Sequence, residues 1–389
     1  MRSTTASVPK RYQRYRERNS RSTWGSLRTC RTAGAARAAR ALLNISPSLE
    51  AGGLLETALA AGADPVLSPL SGHPYLLIDL GRPGTLRTSE RDALCEWLNR
   101  QACPVIGLAG DVTTHPLACA CDVLARDCAD AAALIGNIEA APLAALVLVQ
   151  LLRVTAAMPI AQALIAESLA YATLQAGTEF RSWLAAAPRA AAAPDPAGRA
   201  PVLIERQGAQ LSLRLNRPER RNALSVGMRD ALFEALELAI ADRSITQVTI
   251  SGAGACFSAG GELAEFGTAP DPATAHAVRS TRSVAALLGR CADRVTFRVH
   301  GAAVGAGVEM AAFGRRVEAT ADAFFQLPEI RYGLIPGAGG CVSLPRRIGR
   351  QRTAYLALSG QRLDARTALA WGLIDVLQES KSATRVAHA

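Results

Sequence analysis

Apolar and polar positions divide the 389 residues into stretches of different character. Residues 1–64 mix Arg, Ala and Ser with no sustained apolar period, so this segment reads as disordered, with room for an Ala-rich helix near Ala35 to Leu43. Ordered sequence begins at Tyr75-Leu76-Leu77-Ile78-Asp79-Leu80, an apolar run of strand character. Two long helical patterns follow, Asn137 to Arg153 and Pro159 to Leu184, with Pro159 placed where a helix starts. In the second, Leu164, Ser168, Tyr171 and Leu174 fall at three- and four-residue steps and predict one buried stripe. The stretch from Ala185 to Pro201 is Ala/Pro-rich, breaks helix and offers little to bury, which marks a linker. Beyond it strands and helices alternate, predicting an α/β architecture. The expected division is therefore 1–64, 65–184, linker 185–201, 202–380 and a short tail 381–389.

A pattern repeats across the linker. Upstream, Gly81-Arg82-Pro83 precedes Arg91-Asp92-Ala93-Leu94 and then Val105 to Gly110; downstream, Asn216-Arg217-Pro218 precedes Arg229-Asp230-Ala231-Leu232 and then Val248 to Gly252. Both read as strand, Arg-Pro turn, amphipathic helix, strand, Gly turn. An Ala/Leu/Arg-rich chain can produce such an echo by coincidence, but the order of elements favours a duplicated unit.

Charge changes this picture little. The formal net charge is +10, yet eleven of the 43 basic groups and one of the 33 acids fall in residues 1–40, so the remaining body is neutral. A basic arm could touch phosphates or acidic lipid, or be a solvated tail. It is Arg-rich and acid-poor like a transit peptide, but lacks the apolar stripe of one. With no basic stripe interleaved with aromatics in the body, nucleic acid is not expected as a partner. The longest apolar stretch, Pro142 to Leu152, is too short to span a bilayer, and no membrane partner is expected. Nine cysteines show no ligand cadence. Cys119, Cys121 and Cys128 lack an accompanying histidine pair, so buried thiols in a reducing, cytoplasmic setting are expected, and no metal.

Candidate chemistry lies in three Gly-rich turns of the second half. Phe257-Ser258-Ala259-Gly260-Gly261-Glu262-Leu263 follows a strand near Val248 to Ser251. Gly301 to Glu309 opens a helix predicted over Val308 to Phe313. Pro336-Gly337-Ala338-Gly339-Gly340 follows Leu327-Pro328-Glu329. Glycine admits close backbone approach, and a helix start presents unpaired N–H groups, so two such turns facing one carbonyl oxygen would make an oxyanion hole. None of them fits a GxGxxG dinucleotide fingerprint.

The ordered set of motifs is more specific: NRPERRNAL (216–224), FSAGGEL (257–263), VHGAAVGAGVEMA (299–311), FFQLPEIRYGLIPGAGG (324–340), LPRRIG (344–349) and ALAWGLIDVL (368–377). Residues 203–377 resemble the enoyl-CoA hydratase/isomerase (crotonase) superfamily. The resemblance implies a ββα spiral with an additional, mostly helical N-terminal region. It also implies an acyl-CoA thioester substrate, with coenzyme A part of the substrate and no separate cofactor. The implied oxyanion donors are Gly261 and Ala306, the latter where glycine is usual. Glu262 stands where aspartate is usual. Ala259, Gly260 and Gly261 are implied CoA contacts, Glu309 the base that activates water, Glu329 the acid that protonates the α-carbon, and Gly337 a water-positioning N–H. Two carboxyls in one enclosed site separate in proton affinity, as acid and base roles require. His300 is expected to pack beneath its turn rather than act as a base.

The family continues past the position of Leu377 as a helical subdomain that covers the acyl site and builds trimers, so a homo-oligomer is expected. Here residues 119–185 resemble that subdomain, placed before the linker. Residues 75–185 look like a shortened copy without the three turns or either glutamate, acting as scaffold or lid rather than as a catalyst. The expected activity is hydration of the 2,3 double bond. Isomerisation or hydrolysis on the same enolate and non-catalytic acyl-CoA binding stand as alternatives. Isomerases of the family typically lack the glutamate matching Glu309.

Overall fold

The structure is a computed structural model and describes residues 67–81, 86–109, 114–187 and 198–378. The basic segment 1–64, most of the Arg82-Pro83 turn, the linker's centre and the tail lie outside the described residues. The chain forms two compact units, 1–142 and 143–389, each taken by itself below.

In the first unit, β1 (Leu76–Asp79), β2 (Val105–Leu108) and β3 (Val123–Ala125) form a parallel sheet in that order. Parallel pairing needs a crossover, and α1 (Thr88–Arg100) supplies it between β1 and β2. Leu94, Trp97 and Leu98 of α1 bury against the sheet. After β3, Asp127 accepts the Asp130 N–H and starts α2 (Cys128–Ala140). Cys121 is buried, whereas Cys119 and Cys128 are exposed, contrary to the expectation of buried thiols. Cys128 opens α2 beside Asp127, and Cys119 lies in the short turn Ala118–Ala120 with its thiol near that of Cys95.

The helix predicted over Asn137–Arg153 is two helices, α2 and α3 (Pro142–Thr155). Proline restricts the residue before it, and Ala141 sits outside the helical region at φ −138°. The second predicted helix also divides, into α4 (Ile160–Gln175) and α5 (Thr178–Ala186), at extended Gly177. No single helix among the described residues is long and apolar enough to cross a membrane.

In the second unit a six-stranded sheet is built from β4 (Val202–Gln207), β5 (Gln210–Leu215), β6 (Gln247–Gly252), β7 (Val295–Val299), β9 (Arg316–Thr320) and β12 (Val376–Gln378). Its order is β12-β9-β7-β6-β5-β4; only β4 and β5 pair antiparallel. β5 alternates exposed and buried residues, the period of a strand with one face on the core. A smaller sheet joins β8 (Ala302–Val304), β10 (Phe324–Gln326) and β11 (Leu363–Asp364). Helices α6 (Val226–Ala241), α7 (Pro272–Thr281), α8 (Val284–Cys291), α9 (Ala306–Ala311), α10 (Gly340–Ile348), α11 (Arg350–Ser359) and α12 (Ala365–Trp371) complete the unit. Phe257, Phe297 and Phe325 are fully buried between these layers, the first two in edge-to-face contact at 6.1 Å.

Helices α3 to α5, although they precede the linker, belong to this unit. α4 packs on α7, α8 and α10. α3 begins with its Leu143 and Ala144 N–H groups on the Glu179 carboxylate of α5, which satisfies two orphan donors of the helix start. Trp183 of α5 lies 4.7 Å from Tyr332 and 6.2 Å from Phe266, ring centre to ring centre.

Candidate active site

The first signature motif is the clamp that shapes the first Gly-rich turn. Arg221 and Asn222 both have positive φ, and buried Asn222 donates to the carbonyls of Ala253 and Cys256. Ser258 Oγ donates to the Asn222 carbonyl, the Ala259 N–H to Arg221 and the Leu224 N–H to Gly260. Arg217, also buried, reaches Glu262 at 3.3 Å, so the glutamate in an unusual place anchors the far side of the turn. The Ala259 and Gly260 N–H groups are spent within the chain, on Arg221 and on Ser258 Oγ. Of the three implied CoA contacts, only Gly261 has an N–H with no acceptor among the described residues.

The second turn lies alongside the first, with Ser258 bridging Ala303 in parallel fashion and the Val304 N–H bound to Ser258. A Cβ on Gly260 would sit 2.9 Å from the Val304 carbonyl, so the two turns touch through glycine. Gly305 has φ +49°, and a Cβ there would meet Glu329 Oε1 at 2.6 Å. Glycine is required at that position on both counts. Ala306 then opens α9, where the first N–H groups have no helical partner. Neither the Gly261 nor the Ala306 N–H donates to another group among the described residues, and both residues line one cavity of 480 Å³.

Glu309, Glu329 and Gly337 line the same cavity. Glu309 lies one helical turn into α9, and Glu329 opens the short turn Glu329–Tyr332 after β10. Both are buried. Glu309 Oε2 accepts N–H groups from Ala338 (2.7 Å) and Gly340 (2.9 Å). Burial pushes its carboxyl up to about 7, the two N–H groups opposing the rise. Glu329 Oε2 is buried with no hydrogen-bond partner. Burial first, and the neighbouring charge of Glu309 second, hold its carboxyl well above the usual range. The pair therefore divides near neutral pH, Glu309 ionising first and Glu329 keeping its proton.

Sequence reasoning missed Glu167. This buried residue of α4 accepts the Gly339 N–H on Oε1 (2.7 Å) and the Cys341 N–H on Oε2 (2.8 Å). Four successive backbone donors at the start of α10 are thus held alternately by Glu309 and Glu167. Burial and the charge of Glu309 raise the Glu167 carboxyl well above its ordinary value. One turn on, Tyr171 covers the α-carbon of Gly337, where a Cβ would clash at 2.2 Å. The predicted apolar stripe is therefore in part a cavity wall, with Leu164 and Tyr171 lining cavity space. The available signal was Glu167 itself, an acid one position before Ser168 of that stripe. His300 is half-buried, bonds the Gly254 carbonyl at 2.9 Å and lines neither cavity. No cluster of three metal-ligating side chains occurs among the described residues.

Parallel strands, glycine turns and paired carboxyls converging on one cavity define an α/β protein of crotonase class. A family model described as Enoyl-CoA hydratase/isomerase matches residues 205–384. The chain is 36% identical over 173 residues to 2,3-dehydroadipyl-CoA hydratase of Escherichia coli K12, covering 44% of this chain and 67% of that protein. It is 37% identical over 168 residues to 1,2-epoxyphenylacetyl-CoA isomerase of the same organism, covering 42% and 64%. The crystal structure of enoyl-CoA hydratase from Thermoplasma volcanium GSS1 is 34% identical, with 46% of this chain and 72% of that one covered and a TM-score of 0.43. The chain belongs to the enoyl-CoA hydratase/isomerase (crotonase) family, and spans about two thirds of the length of these curated relatives.

Proposed function

We propose that the protein hydrates the 2,3 double bond of an acyl-CoA thioester. One observation carries this reading: two buried carboxyls of different proton affinity face the same cavity as two open backbone N–H groups. The thioester oxygen, which gains charge as the enolate forms, takes the Gly261 and Ala306 N–H groups. Glu309 has Oε1 left to accept a proton from water, since Oε2 is held by the turn. The hydroxyl adds to the β-carbon, and the Glu329 carboxyl gives its proton to the α-carbon. Glu309 is then protonated and Glu329 ionised; return of one proton through solvent restores the site. Relatives carry both hydratase and isomerase names, and the presence of Glu309 beside Glu329 favours hydration.

Crotonyl-CoA turnover in the intact protein tests this. Glu309→Gln and Glu329→Gln are each expected to lower kcat by ~10²–10⁴-fold, the usual contribution of a placed proton-transfer group, with the circular dichroism spectrum unchanged. Hydration at a near-normal rate in either variant rules out the two-carboxyl mechanism. Double-bond migration retained in Glu309→Gln alone assigns isomerisation instead.

A further inference from the structure

A second cavity of 350 Å³ adjoins the first, sharing Leu224, Arg229, Arg279, Gly337 and Ala338 as lining. Three arginines face it, Arg229, Arg279 and Arg282, against a single carboxyl, Glu167. Two of the three already have acids: Arg229 pairs with Asp230 at 2.8 Å, and Arg282 lies 4.0 Å from Glu234. Arg279 does not. Its Nε and Nη2 donate to the hydroxyl and carbonyl of Ser168, its Nη1 to Gln175 Oε1, and its guanidinium lies 4.8 Å over the Tyr171 ring. All these partners are neutral, and no carboxylate comes within ion-pair distance among the described residues.

A half-buried cation with no carboxylate in ion-pair reach is costly, and burial pulls the Arg279 proton affinity below its ordinary value, with Tyr171 and then Glu167 opposing the fall. Glu167 favours the cation from beyond ion-pair distance, its two oxygens each accepting a backbone N–H, from Gly339 and Cys341. A guanidinium has five N–H groups, so Arg279 keeps donors beyond these three bonds for a planar anion. The groups facing it are Glu167, Ser168, Tyr171 and Gln175 of α4 and His276 of α7, whose Nδ1 is 2.8 Å from Ser168 Oγ.

We propose that Arg279 receives the carboxylate at the far end of a dicarboxylic acyl chain, making dicarboxylyl-CoA thioesters the substrate class. This rests on the acyl-CoA reading of the adjoining cavity, which places the thioester end at Gly261 and Ala306.

Binding of saturated thioesters tests it without requiring turnover. Calorimetric titration of the full chain would compare succinyl-, glutaryl-, adipyl- and pimeloyl-CoA with their monocarboxyl counterparts and with free CoA. At least one dicarboxyl ligand is expected to bind ~10- to 100-fold tighter than its counterpart, the range of a hydrogen bond to a charged group. Arg279→Gln is expected to remove that preference while leaving the monocarboxyl ligands and free CoA unchanged. Equal binding of the two series by the unaltered protein overturns the proposal. So does a variant that weakens both series alike: accompanied by weaker free CoA it assigns the anion to a CoA phosphate, and without that it reduces Arg279 to a tether between α4 and α7. Dicarboxyl preference with no hydration of crotonyl-CoA or of the 2,3-unsaturated form of the preferred dicarboxyl thioester would leave this proposal standing and remove the hydratase reading.

Discussion

At the scale of single residues, the site depends on three buried carboxyls whose surroundings differ. Glu309 is stabilised by two N–H groups, Glu167 by two others, and Glu329 Oε2 by none. A base must be ionised and an acid protonated, so kcat/KM is expected to rise with pH through about 7 as Glu309 ionises and to fall at higher pH as Glu329 loses its proton. A pH profile on crotonyl-CoA, from acid to alkaline, checks both limbs; a rising limb near the ordinary carboxyl range would contradict the buried environment of Glu309. Glu167 adds a second test. Burial alone raises Glu309, whereas the charge of Glu309 raises Glu167, so Glu167→Gln is expected to leave the rising limb in place. Gln also loses one acceptor, leaving Gly339 or Cys341 unsatisfied at a cost of ~1–3 kcal/mol, readable as a lower denaturation midpoint. A rising limb displaced to lower pH would show instead that Glu167 carries charge while Glu309 titrates. Glu309 and Glu329 were legible because each adjoins a glycine turn. Glu167 was not, because its partners are backbone donors 172 and 174 positions away and carry no side-chain signature.

At the scale of elements, the alternation of strands and helices after residue 201 was readable from period alone, as was the strand at Leu76–Asp79. The two long helical patterns were readable as helix but not as four helices. Their breaks rest on single residues, Ala141 before Pro142 and Gly177, that interrupt the backbone without interrupting the apolar pattern. The stripe of α4 shows the converse limit. Three- and four-residue spacing reports which face turns inward, not whether that face meets packed side chains or open space, and Leu164 and Tyr171 meet the latter. The repeated order of strand, helix and strand is seen in β1, α1, β2 and again in β5, α6, β6, each pair of strands parallel. Among the described residues, the first set shows no counterpart of the Asn222 clamp or of the paired glycine turns behind it.

At the scale of the molecule, helices made before the linker complete a site made after it. Phe180 is buried, and Trp183 closes on Phe266 and Tyr332. Each such side chain contributes about 1.5–3 kcal/mol when fully buried. A fragment beginning at residue 202 would expose that surface and lose Glu167, and is expected to aggregate or lose activity, with partial recovery when residues 65–187 are supplied in trans. A soluble fragment of full activity would show that α4 and α5 are dispensable. The pairing of Glu167 with the start of α10 has a further consequence in the time order of synthesis. Chains emerge from the amino end, so the helix bearing the restraint exists before the loop it restrains has been made. The glycine-rich loop forms against a waiting partner, whereas a restraint encoded downstream would leave that loop unsupported until translation had passed it.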